Sequence, residues 1–83
     1  MNKKELTILV LLIQLDIASP VTAISVRDIN QLEGLTDFKP NTLFKTLQFL
    51  AGQGYVDKGM KDGRACTFFI TAKGKEKVRD YAK

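Results

Sequence analysis

Hydrophobic residues crowd the first part of the chain in a helical rhythm. At 100° per residue, Leu6, Leu9, Val10, Ile13 and Ile17 form one stripe, and Ile8, Leu11, Leu12 and Leu15 form a second on the opposite side. Both faces call for burial, so the spacing predicts a helix set deep in the fold or between the fold and a partner. Thr7, Gln14, Glu5 and Asp16 fill the narrow seams, and Ser19-Pro20 is expected to stop the helix. The rhythm then shortens. Thr22 to Ser25 is β-leaning, Ser25 with Asp28 makes a variant capping box, and a brief helix is expected over residues 26–33, with Ile29 and Leu32 as core contacts and Gly34 closing it. After a linker of residues 35–39, Pro40 takes the favoured first position of a further helix running to about Ala51.

The faces of that helix separate. Leu43, Leu47 and Leu50 form a buried stripe; Asn41, Lys45 and Gln48 project from the other side, with Thr42 and Phe49 on one flank. Helix, tight turn, helix, with amide and basic side chains outward, matches the donors and acceptors of DNA base edges. Residues 55–61 and 64–70 then read as strands flanking Asp62-Gly63, a two-residue turn signal. That turn would pair Lys61 with Arg64, Met60 with Ala65, Lys58 with Thr67 and Val56 with Phe69, bringing Lys61 and Arg64 together at the tip of a basic wing, residues 57–67. Thr71 is expected to cap a last helix, residues 72–82, whose larger apolar contacts are Val78 and Tyr81. The expected class is α+β, mainly helical: a winged helix-turn-helix with a three-helix core, a wing and a C-terminal helix, in a single domain of 83 residues.

Charge sharpens the picture. Residues 1–42 hold four Lys/Arg against five Asp/Glu, and residues 43–83 hold nine against four, so the net +4 is concentrated in the second half and points to a polyanionic partner. A merely soluble basic surface is the bland alternative. Lys3 and Lys4 before an apolar run, with Val21-Thr22-Ala23 behind it, mimic a secretory signal. Glu5 among the charges, and Gln14 and Asp16 just after the run, argue for a retained helix in a cytoplasmic protein. The uninterrupted apolar run Ile8–Ile13 is far short of the roughly 20 residues a membrane span needs.

Chemistry is sparse. With no histidine and one cysteine, no His-based triad, His/Cys zinc site or internal disulfide can form within one chain. No enzyme activity, metal, cofactor or small-molecule effector is expected, and Cys66 reads as a small strand hydrophobe.

The segment from Thr42 to Val56, TLFKTLQFLAGQGYV, resembles the recognition helix of PadR-family transcriptional regulators and, more distantly, MarR; Phe44 stands where the family usually has tyrosine. Residues 64–74, ending FFITAKG, resemble that family's return strand and the start of its last helix. The resemblance implies sequence-specific binding of double-stranded DNA by a homodimer. It implies Asn41, Thr42, Lys45 and Gln48 at base edges, with Lys61 and Arg64 on the backbone beside Lys39 at the helix start. The double-sided first helix suggests the dimer seam: Ile8, Leu11, Leu12 and Leu15 with Val78 and Tyr81. A winged-helix module that docks proteins without touching DNA is the alternative.

Overall fold

The computed structural model describes residues 2–61, 63 and 65–82. Helix α1, Lys3–Gln14, opens on a reciprocal cap: Asn2 Oδ1 accepts the Glu5 N–H at 2.8 Å, and Glu5 Oε1 accepts the Asn2 N–H. It ends well before Ser19-Pro20. Asp16 turns left-handed at φ 57, and the amides of Asp16 and Ile17 donate back to Ile13 and Leu12, closing the last turn in a Schellman motif. Ile17 therefore belongs to the following segment, where its carbonyl accepts the Ile70 N–H.

A short strand, β1 (Ile24–Ser25), leads into α2 (Val26–Asn30). Ser25 Oγ accepts the Asp28 N–H, as the sequence suggests. The helix is three residues shorter than expected and Gly34 lies beyond its cap, in the turn. The reason is Asn30, whose Nδ2 donates to the carbonyls of Leu35 at 3.0 Å and Phe38 at 2.8 Å, folding the connection back under the helix. Leu35, read as linker, is fully buried by this turn. Helix α3, Pro40–Gly52, follows with Pro40 in its first turn and Leu43, Leu47 and Leu50 fully buried. Gly54, at φ 83, closes it, and the Tyr55 amide donates to Leu50.

Strands β2 (Val56–Lys58) and β3 (Thr67–Ile70) pair antiparallel, and β1 lies on the other side of β3, giving a three-stranded sheet in the order β1-β3-β2. The register differs by one residue from the one counted out from the turn: Val56 faces Ile70, Asp57 faces Phe69 and Lys58 faces Phe68. Burial decides it. A one-residue slip would turn every side chain to the other face, and only the observed pairing puts Val56 beside Ile70 in the core, with Phe68 on the same face. The stretch between Lys58 and Phe68 is then odd in length, so it does not pair residue for residue about Asp62-Gly63. Asp62 and Arg64 lie outside the described residues. Gly59 sits where the segment before β1 crosses the wing; a Cβ there would overlap Ala23 Cβ and come within 2.8 Å of the Pro20 carbonyl oxygen.

Helix α4, Ala72–Ala82, starts from Thr71, whose hydroxyl donates to Gly54 O at 2.6 Å and accepts the Gly74 N–H. It packs along α1 within the same chain. The residues expected at a dimer seam are distributed unevenly by this packing. Ile8 and Leu12 are fully buried in the protein's own core, and Leu11 and Val78 pack half-buried against it. Only Leu15 and Tyr81 of that set stay about half exposed, at 50% and 52%. The deeply buried side of α1 is Ile8, Leu9 and Leu12, between the two stripes read from the sequence, and α4 supplies cover that its few apolar residues did not suggest. Among the described residues no helix is long and apolar enough to cross a membrane.

Candidate nucleic-acid interface

Two flanks and an outward strip define α3. The three buried leucines anchor one side. On one flank Phe44 turns to the sheet, meeting the ring of Phe68 edge-on with centroids 6.5 Å apart. On the other flank Phe49, 53% exposed, lines a small cavity with Glu5, Gln53, Tyr55 and Lys77. Between the flanks Asn41, Lys45 and Gln48 are exposed, and Thr42 is half-buried, its carbonyl accepting the Thr46 hydroxyl. No acidic residue occurs anywhere in α3.

The start of α3 is electropositive for a second reason. Lys39, exposed, holds the cap position without a side-chain hydrogen bond to the helix, and the first intrahelical donor is the Leu43 amide, bonded to Lys39 O. Pro40 has no N–H, so the amides of Asn41 and Thr42 come before that bond and point along the helix dipole. An anion at this end would meet two backbone donors and a lysine.

The structure therefore places Asn41, Lys45 and Gln48 exposed on one side of one helix, with Lys39 exposed at its start and Thr42 half-buried on the flank of Phe49. Lys61 is exposed on the wing; its expected partner Arg64 lies outside the described residues. Two further wing residues were not singled out in the sequence: Lys58, exposed on β2, and Met60, 66% exposed. The one-residue register shift makes Lys58 the neighbour of Phe68, a relation that the turn signal concealed.

With this geometry fixed, the chain can be set beside proteins of known structure. The chain is similar to the solution structure of the DNA-binding TubR fragment from Clostridium botulinum, with a TM-score of 0.74 at 23% identity, covering 98% of this chain and 96% of that one. The similarity spans both molecules almost end to end and shows a shared fold. No protein-family profile matches the chain, and no curated protein does.

Proposed function

We propose that the protein binds double-stranded DNA in a sequence-specific manner and acts as a small transcriptional regulator. In this reading α3 lies in the major groove, with Asn41, Thr42, Lys45 and Gln48 at base edges and Lys39 at the flanking phosphate. The wing, with Lys61 and Arg64, lies on the backbone. The observation that carries the proposal is the outward strip of α3: exposed, amide-bearing and basic, and free of carboxylates along the whole helix. Amides pair bidentately with adenine and lysine with guanine, whereas a carboxylate would be repelled by every phosphate. The shared fold with a DNA-binding fragment supports it. So does the resemblance of residues 42–56 to the PadR recognition helix. The proposed setting is the cytoplasm, where no disulfide framework is needed.

Pairing of two copies is part of the proposal in a weaker form than the sequence suggests. With Ile8 and Leu12 spent inside the chain, Leu15 and Tyr81 offer too little apolar area for a permanent dimer. Two copies are proposed to associate on adjacent half-sites.

A protein-docking module is the second reading, and Phe49 is what favours it, since an aromatic ring left half exposed beside a cavity is a common anchor point. Selection from a randomised duplex library, followed by sequencing of the retained DNA, separates the two. An enriched sequence motif supports DNA readout; recovery of unbiased or no DNA favours the docking module.

A further inference from the structure

The major groove is about 12 Å wide and walled by both phosphate backbones. A helix lying in it therefore has one strand's phosphates on each flank. On the flank of Phe44 stands the sheet with its wing. On the opposite flank the first turn of α1 approaches α3, as the shared cavity of Glu5 and Phe49 shows. That turn carries Lys3 and Lys4.

These lysines do not stand on a flat surface. Lys3, Lys4 and Thr7 line a cavity of about 450 Å³ with Gly34 and Phe38 of the α2–α3 turn, immediately before Lys39. The Lys4 ammonium sits 5.5 Å from the centroid of the Phe38 ring, a cation–π contact that restricts a side chain otherwise free to sample many rotamers. Ordering it beforehand lowers the cost of holding an anion. Among the described residues no carboxylate lines the cavity. Three acids adjoin lining residues in sequence: Glu5 is held by the Asn2 amide and lines the other cavity, and Glu33 and Asp37, beside Gly34 and Phe38, are exposed and not part of the lining.

We infer that the cavity between the first turn of α1 and the α2–α3 turn is a second phosphate site for DNA. Lys3 and Lys4 grip the strand opposite the one held by the wing, so that the recognition helix is clamped from both sides. This rests on the DNA-binding reading above and extends its footprint to residues that the sequence presents as the charged start of a signal-like segment.

The test is the salt dependence of duplex affinity for the full chain. Each lost phosphate contact lowers the slope of log K against log salt by about 0.9, so K3Q/K4Q should lower it by about 1.8 with the preferred sequence unchanged. Between about 50 and 200 mM salt that is roughly a tenfold smaller loss of affinity. K3R/K4R should keep the wild-type slope. K75Q/R79Q removes two exposed charges from α4 and should change the slope by less than half as much. The cap formed by Asn2 and Glu5 is untouched by these changes, and a melting temperature equal to wild type confirms folding. The inference is overturned if wild type binds and K3Q/K4Q keeps its slope, or if K75Q/R79Q lowers it equally, which would reduce the effect to net charge. Absence of any duplex binding by wild type would overturn the DNA-binding reading itself.

Discussion

The ring of Phe44 meets that of Phe68 edge-on, with planes inclined at 67° and centroids 6.5 Å apart. Phe68 is fully buried at the centre of the three-stranded sheet, so this contact ties α3 to the strand from which the wing projects. It is one of the contacts that seat α3 against that strand. Replacing Phe44 with Ala should cost about 1–3 kcal/mol, less than a fully buried Phe because the ring is half-buried. Phe44→Tyr should be close to neutral if the hydroxyl reaches water. Urea unfolding of the two variants checks the order.

Asn30 is the residue that sets the tight turn. Its amide satisfies the carbonyls of Leu35 and Phe38, and no hydrophobic residue can replace a donor reaching both. Asn30→Ala should destabilise the protein by about 1–3 kcal/mol, the usual range when partly buried acceptors lose their donor. Asn30→Asp keeps the shape but brings an acceptor against two acceptors, so it should be at least as damaging. Hydrogen exchange at residues 35–39 should accelerate in both variants, and unchanged exchange there would contradict this role.

Much of this arrangement is legible in the sequence, and the misreadings have identifiable causes. Leu43, Leu47 and Leu50 are recognisable as core because i, i+4, i+7 spacing has one geometric meaning. Asp62-Gly63 suggests a wing, but the register counted out from it lies one residue from the one that buries Val56, Phe68 and Ile70 together. The apolar length of the first segment hides its true end, since Asp16 adopts a left-handed conformation that glycine more often takes. Asn2 and Glu5 carry a capping signature that the neighbouring lysines obscure. The outward strip of α3 is readable; the approach of Lys4 to Phe38 is not, because it joins residues from separate elements whose proximity only the packed fold creates.

Helix α1 contributes Ile8, Leu9 and Leu12 to the core, each fully buried and each worth about 1.5–3 kcal/mol by transfer. Their sum is comparable to the whole stability of a small domain. A chain lacking residues 1–22 should therefore lose cooperative unfolding and near-native helix content by circular dichroism. A truncated chain that melts like the full one would mean that the signal-like segment is dispensable to the fold.

With its second apolar stripe largely covered, the free protein should sediment as a monomer at micromolar concentration. Addition of a duplex carrying two copies of the preferred site, spaced by about one helical turn, should give a complex of two chains. A stable dimer without DNA would show that Leu15 and Tyr81, together with surface not apolar in sequence, form a stronger seam than their exposure suggests.

The central claim is that the outward strip of α3 reads DNA bases while the wing holds the backbone, and affinity for two duplexes tests it most directly. The duplexes are the selected sequence and a scrambled one of equal length. Asn41→Ala and Lys45→Ala should each lose about 1–3 kcal/mol on the selected duplex and much less on the scrambled one, narrowing the preference between them. Lys61→Ala should weaken both alike and lower the salt slope by about one. Unchanged affinity for both duplexes in all three variants would contradict the account.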